Sequence, residues 1–170
     1  MRQQYESQVD RDLEDVTAKR IAKISVEQDS WLNDNGLGFM TNTTMQKLPA
    51  YTYKLDWGVV RASPDSNRIN IVAWAELKTR NIFYKQYPDV MISAHKVLAG
   101  VELSKCYKIP FVLFIGFTNG LGLHVFDTTI RDYQLCYGGR ILNTRDAADV
   151  EPVCYVKMED FYFFPNPFQV

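Results

Sequence analysis

The chain has 170 residues, 46% hydrophobic and 23% charged, a composition that predicts one globular domain over residues 1–170 with a proper core. Its net charge of −1 argues against a protein that coats nucleic acid through charge alone. The first residues, MRQQYESQ, do not resemble a signal peptide, no apolar run is long enough to cross a membrane, and three scattered cysteines indicate reduced thiols, so we expect a cytoplasmic protein without a membrane partner.

A first helix is predicted from about Val9 to Leu32, because apolar residues recur there at roughly helical spacing. The apolar stripe comprises Val9, Leu13, Val16, Ile21 and Ile24. The run Asn33-Asp34-Asn35-Gly36 is a typical helix stop. We expect the helix to pack on a sheet through this stripe.

Two strand-like segments follow, Tyr51–Ala62 and Arg68–Lys78. The connector between them, Ser63-Pro64-Asp65-Ser66-Asn67, has turn chemistry, because proline fixes φ and the Asp, Ser and Asn side chains can bond their own backbone. Such a short connector predicts an antiparallel hairpin.

The second of these strands ends in Glu76-Leu77-Lys78. Strand alternation predicts one face with Val72, Trp74, Glu76 and Lys78, and the other with Ile71, Ala73, Ala75 and Leu77. A hairpin symmetric about Ser66 makes Asp56 and Glu76 cross-strand neighbours, with Cβ atoms roughly 5 Å apart. Two carboxylates this close repel each other, and a hard divalent cation with oxygen ligands relieves the repulsion. Lys78 beside them can also lower the repulsion or orient a water.

A second helix is predicted from about Val90 to Tyr107, capped by Asp89. Its apolar stripe is Val90, Ala94, Val97, Leu98 and Val101. The nearly continuous apolar run Phe111–Phe117 is typical of a strand buried on both faces. Further strands are predicted after the Asn119-Gly120 turn, at Leu121–Phe126, Tyr133–Leu142 and Pro152–Val156. The order predicts an α/β fold with a central mixed sheet flanked by helices.

Asp56, followed by Glu76-Leu77-Lys78 at the end of a strand, resembles the motif of the PD-(D/E)XK nuclease superfamily. The order helix, hairpin, helix and strand over roughly residues 10–126 resembles it as well, and so does the segment from Tyr87 to Lys96, which is similar to small phage-type members. One departure is Leu55, where many members have proline before the aspartate. The resemblance implies a restriction-endonuclease-like core of order α-β-β-β-α-β.

The resemblance also implies roles for individual residues. Asp56 and Glu76 would hold Mg²⁺, with Mn²⁺ as a possible substitute, helped by the Leu77 carbonyl. Lys78 would position or deprotonate the attacking water. Glu14 matches an acid that often lies beside the metal in the family, with Asp15 as a rival. Lys96 matches a polar residue that the second helix often directs at the site.

The activity implied is magnesium-dependent hydrolysis of DNA, in recombination, repair or degradation in a bacterium or a phage-infected host. Basic residues concentrate in the middle of the chain, which agrees with a DNA partner. Structure-specific or weakly specific cutting is expected, and the small resolvases of similar core suggest a possible homodimer. The main alternative is a catalytically inactive nuclease fold used as a binding module or inhibitor. A small-molecule enzyme lacks support, since the sequence contains no cofactor motif.

Each candidate residue also has a plainer interpretation. The Asp56, Glu76 and Lys78 group could be a surface ion-pair cluster. Glu14 and Lys96 could be solvent-facing helix charges. We interpret Trp74 as a core residue and both histidines as structural. Arg140 and Arg145 have the same ambiguity, since they could contact a DNA backbone or be ordinary surface residues.

Overall fold

A computed structural model of the protein describes residues 8–49, 54–127, 133–139 and 150–166. Within these ranges it contains three α-helices and nine strands. In chain order they are α1 (Gln8–Glu27), α2 (Asp29–Asp34), β1 (Thr44–Lys47), β2 (Trp57–Ala62), β3 (Ile69–Thr79), β4 (Asp89–Ser93), α3 (Ala94–Tyr107), β5 (Phe111–Phe117), β6 (Gly120–Phe126), β7 (Gln134–Gly139), β8 (Val150–Lys157) and β9 (Tyr162–Pro165).

Six of the strands form a mixed sheet in the order β1-β2-β3-β5-β6-β9, and β4, β8 and β7 form a second sheet. β3 and β5 run parallel and are joined through α3, whereas the other neighbours in both sheets are antiparallel. With the short α2 and β4 set aside, the order from α1 to β5 is helix, three strands, helix, strand. The predicted restriction-endonuclease-like α/β fold is therefore confirmed.

The first helix is interrupted, and its packing face overlaps only part of the predicted stripe. α1 ends at Glu27 and α2 continues to Asp34, so the predicted stop before Gly36 is confirmed. Val9, Leu13 and Val16 of the predicted stripe are 65%, 44% and 63% exposed. Ile21 of the same stripe is buried and Ile24 is half-buried, as predicted, and the rest of the buried face of α1 is formed by Glu14, Thr17, Ala18 and Ser25. Apolar spacing predicted only part of this face because polar side chains of α1 occupy part of its contact with the rest of the fold.

The predicted hairpin register is confirmed at its base. Trp57 pairs with Ala75 and Val59 with Ala73, which is the register symmetric about Ser66. From Val60 onward the pairing shifts by one residue, since Val60 lies opposite Ile71. Val72 is thus the extra residue of a β-bulge, a local irregularity that strand alternation cannot anticipate.

The bulge corrects two predicted side-chain directions. Ile71 packs against the core cluster that contains Trp74, and Val72 packs against the cluster that contains Ala73. Strand alternation had placed both on the opposite faces. The strand before the turn begins at Trp57, and residues 54–56, which were predicted as strand, lie outside it. The predicted start at Tyr51 lies outside the described ranges, and β1 was not predicted.

The second helix begins four residues later than predicted. Residues 89–93 form β4, which pairs with β8, and α3 starts at Ala94 without a side-chain cap from Asp89. Val90 and Ile92 are buried while their neighbours are half-buried, a period of two typical of a strand. Within the helix Leu98 is 51% exposed, whereas Ala94, Val97 and Val101 are buried. The predicted end at Tyr107 is confirmed.

Two hydrophobic clusters enclose the larger sheet. One lies between the sheet and α3 with the second sheet, and the other lies between the sheet and α1 with α2. Every residue of β5 is buried, as the continuous apolar run predicted. Gly100 of α3 lies against the Phe111 ring, so close that a Cβ there would clash. This contact holds α3 tightly on β5.

The later strands agree with prediction only where they are described. The Asn119-Gly120 turn joins β5 to β6, as predicted. β7 ends at Gly139, whereas the predicted strand extended to Leu142; residues 140–149, including both candidate arginines, lie outside the described ranges. Within the described part of the chain, no helix is long and apolar enough to cross a membrane.

Replacing Leu113 by alanine is expected to lower the free energy of unfolding by about 2–5 kcal/mol, because the side chain is fully buried in β5 and its removal leaves a cavity. Leu98→Ala is the matched control, since Leu98 is half exposed on α3. Urea unfolding of both variants measures the difference. Similar losses in the two variants would contradict the assigned position of β5 in the core.

Candidate active site

The candidate site lies where β3 ends, and three elements converge on it. Continuing the register from the pair Trp57 and Ala75 places Asp56 opposite Glu76. Glu76 is completely buried on the same face of β3 as Trp74, which is the face covered by α3. Lys96 belongs to the first turn of α3. Its ammonium therefore approaches the two carboxylates from the helix.

The contacts within this group are short. The Lys96 Nζ lies 2.8 Å from Asp56 Oδ2 and 3.4 Å from Glu76 Oε2. The Lys78 Nζ lies 2.9 Å from Glu76 Oε1. One cation is thus within reach of both carboxylates, as the predicted pairing required, and in this structure that cation is an ammonium group. The side chains of Asp56 and Lys78 are 33% and 27% exposed, which opens the group to solvent on one side.

Glu14 joins this group through α1. A Cβ on Gly116 would lie 2.8 Å from the Thr17 hydroxyl oxygen, so a glycine at this point of β5 permits close approach of the helix. Gly116 pairs with Thr79, the residue after Lys78. Glu14 lies one helical turn before Thr17, is buried, and contributes to the electrostatic environment of Lys78, whereas Asp15 is exposed. The structure therefore favours Glu14 over Asp15.

Gly116 and Thr17 were not singled out by the sequence analysis. A glycine within an otherwise apolar buried strand indicates close approach of another backbone or side chain, so the signal was present at Gly116. No comparable signal marks Thr17, because its role depends on where α1 crosses the sheet.

The carbonyl of Leu77 is the predicted third metal ligand, and the pairing of β3 shows to which side of the strand it points. The amides of Trp74 and Arg80 donate to carbonyls on the β5 side of the strand. Backbone groups alternate along a strand, so the Leu77 carbonyl points to the β2 side. The described pairing with β2 stops at Trp57 opposite Ala75, and Leu77 lies two residues beyond this last pair. Its side chain packs in the core on the other face.

The remaining candidates lie elsewhere or serve the core. Trp74 is 3% exposed and packs in the α3-side cluster. His95 is hydrogen-bonded to Ser93 at the start of α3. His124 contacts the Tyr133 hydroxyl and the Asp160 carbonyl, and burial lowers its pKa despite the opposing effect of Asp160. A neutral His124 in this environment agrees with the structural role predicted for it.

Comparison with known protein families identifies the family to which the chain belongs. The sequence model of one family, described as "Phage putative PDDEXK endonuclease", matches residues 1–163. The chain belongs to this family. No curated protein and no solved structure is significantly similar to it. The match makes the chain a member of the PD-(D/E)XK nuclease superfamily, and the assignment of the motif to Asp56 and Glu76-Leu77-Lys78 stays a prediction.

The donor set of this PDDEXK family member fits a hard divalent cation. Both oxygens of the buried Glu76 carboxylate lack a partner in hydrogen-bond geometry among the described residues, so the carboxylate is balanced by nearby charge alone. Carboxylate and carbonyl oxygens are the preferred ligands of Mg²⁺. No three Asp, Glu, His or Cys side chains in the described ranges are spaced to hold a metal as they stand. Direct ligation by Glu14 therefore stays a prediction.

The charges of this site act strongly on Lys78. Burial alone would lower the pKa of its ammonium, but the charge and close contact of Glu76, together with the charges of Glu14 and Asp56, raise the pKa overall. Lys78 is therefore a cation at neutral pH in this arrangement.

A raised folded-state pKa means that Lys78 stabilises the fold below the unfolded value of 10.5 and loses this contribution as pH rises through the folded value. We expect the stability difference between wild type and Lys78→Met to be constant near neutral pH and to fall above about pH 10.5. Denaturant unfolding of both metal-free proteins across the alkaline range measures it. A difference that does not change with pH would contradict the described ion pair.

Proposed function

We propose that this PDDEXK family member is a magnesium-dependent deoxyribonuclease that hydrolyses phosphodiester bonds of DNA. The observation that carries the proposal is the convergence of Asp56 and Glu76 on one cation position, with Lys78 in contact with the same glutamate. A surface ion-pair cluster would not bury Glu76 completely, because burial of a carboxylate costs free energy that exposed pairs avoid.

The proposed metal ligands are Asp56, Glu76 and the Leu77 carbonyl, with Glu14 nearby. A magnesium ion there would supply Lewis-acid stabilisation of the phosphate and a bound water of lowered pKa. Mn²⁺ accepts the same oxygen ligands and is the proposed substitute. The buried position of Glu76 fixes its carboxylate before the substrate arrives, which favours the electrostatic part of catalysis.

Lys78 is proposed to act through its charge. Its ammonium contacts Glu76 Oε1 and remains 27% exposed, so it can contact a water or a phosphate oxygen entering from solvent. Because negative charge grows on the phosphate during hydrolysis, a fixed cation stabilises the transition state more than the ground state. Lys78 would therefore orient the attacking water and offset this charge.

The proposed biological setting rests on the family description and not on the geometry of the site. The family description names phage endonucleases, and we place the activity in recombination, repair or degradation of DNA in the cytoplasm of a bacterium or phage-infected cell. Cutting that depends on DNA structure, and assembly as a homodimer, are the corresponding expectations for substrate and oligomeric state.

The central test is cleavage of single-stranded, duplex, flap and four-way DNA with and without Mg²⁺. Wild type is expected to cut at least one of these substrates only when Mg²⁺ is present, and Asp56→Asn and Glu76→Gln are expected to remove the activity. Asp15→Asn is the control, because Asp15 is an exposed acid on α1 beside the buried Glu14. DNA binding without cleavage by the wild type would favour the inactive binding module instead.

Replacing Lys78 by methionine is expected to lower the single-turnover cleavage rate by about 10²–10⁴-fold, the usual contribution of a positioned acid–base or charge-stabilising group. DNA affinity should change much less, because one lost phosphate contact lowers the salt slope by only about one unit. Lys105→Met, an exposed lysine in the last turn of α3, is the control for charge alone.

Equal losses of rate and affinity in Lys78→Met would make Lys78 a DNA-binding residue, and unchanged cleavage would remove it from the mechanism. Both quantities are measured at saturating Mg²⁺ on the substrate that the panel identifies.

A further inference from the structure

Both oxygens of the Glu76 carboxylate are already in contact with a lysine. Oε1 lies 2.9 Å from the Lys78 ammonium, and Oε2 lies 3.4 Å from the Lys96 ammonium. The carboxylate is completely buried. A further cation that binds Glu76 therefore approaches an oxygen that already faces an ammonium group.

Lys96 is the lysine whose position such a cation would need. Its ammonium contacts Asp56 Oδ2 at 2.8 Å as well as Glu76, so it occupies the space that the two carboxylates share. The Lys78 ammonium contacts Glu76 through Oε1, the carboxylate oxygen that Lys96 does not contact. A divalent ion bound by both carboxylates would lie within a few ångströms of the Lys96 ammonium, where two positive charges in a poorly solvated site repel strongly.

We propose that Lys96 is an internal counter-ion of the metal site. A divalent metal displaces its ammonium from the two carboxylates, and the displaced ammonium then pairs with a DNA phosphate, so that metal and DNA bind cooperatively. This inference rests on the proposed nuclease function. Without metal the ammonium balances Asp56 and Glu76. With metal and DNA bound, the same ammonium pairs with a phosphate next to the site.

The attachment of Lys96 suits this exchange. A lysine is a point charge on a flexible four-carbon stem, so its ammonium can move without displacing the helix. Lys96 is the third residue of α3, and the amides of a first helical turn have no acceptor within the helix. The partial positive charge of this helix end favours an anion beside it. A phosphate at this place would therefore meet both the helix end and the displaced ammonium.

Cooperativity follows from counting how often the contact with Lys96 is broken. Metal binding alone has to break it, and a DNA phosphate that recruits Lys96 has to break it as well. When both ligands bind, it is broken only once. The free energy of breaking the contact of Lys96 with the carboxylates is therefore the coupling free energy between metal and DNA. Thermodynamic linkage requires each ligand to raise the affinity of the other by the same factor.

The test uses Lys96→Met, which keeps most of the stem and removes the charge. In DNA-free protein, isothermal titration calorimetry with Mg²⁺ alone is expected to show binding about 10- to 100-fold tighter in Lys96→Met than in wild type, the range set by one charge-assisted hydrogen bond. Lys105→Met is the control and should bind Mg²⁺ as wild type does. If Lys96→Met fails to fold by circular dichroism, Lys96→Gln replaces it.

The second measurement is fluorescence anisotropy with a labelled DNA duplex, with and without Mg²⁺, the probe being checked on a gel for cleavage. Mg²⁺ should raise the DNA affinity of wild type by about 10- to 100-fold more than that of Lys96→Met. Equal Mg²⁺ affinity in the two DNA-free proteins, or no binding by either, overturns the proposal, and so does equal coupling. If one of these results is found and wild type still cleaves DNA, the role of Lys96 is refuted and the nuclease function is kept. If Lys96→Met binds Mg²⁺ more tightly but wild type cleaves no DNA, the nuclease function alone is refuted.

Discussion

The burial of the Glu76 carboxylate at the end of β3 is the constraint on which the surrounding structure depends. A carboxylate without solvent is costly unless positive charge lies beside it. Two lysines supply that charge here, one from the same strand and one from α3. The elements that meet at this point therefore do more than complete a core: the hairpin, α1 and α3 each deliver a charged side chain to a place where the core alone would not accept one.

The sequence allowed the centre of the site to be predicted because its determinants are local. Strand alternation over a few residues puts Glu76 and Lys78 on one face, and a short connector centred on Ser66 sets Asp56 opposite Glu76. The buried strand β5 could also be predicted from the sequence, since a strand covered on both faces is a continuous apolar run. The α/β class followed from the order of these elements.

The remaining errors come from tertiary contacts that leave no local signature. The buried face of α1 includes Glu14, Thr17 and Ser25, so hydrophobic spacing predicted only part of this face, and the N-terminal part of the predicted stripe is exposed. The sequence places residues 90–93 in α3 because Asp89 is a good helix cap and Val90 lies one helical turn before Ala94, whereas pairing with β8 makes these residues a strand. The contacts of Lys96 with two carboxylates depend on how closely α3 packs on β5, which the sequence does not specify.

The bulge at Val72 separates the hairpin into two lengths of different register. The base, near Trp57 and Val59, is fixed by the core, whereas Pro64–Asn67 at the tip are exposed and carry no residue of the candidate site. An irregularity between them lets the tip change length or sequence without sliding Asp56 past Glu76. The tip is thus a suitable insertion point, where a reporter peptide or a longer arm could be added while Asp56 and Glu76 keep their alignment.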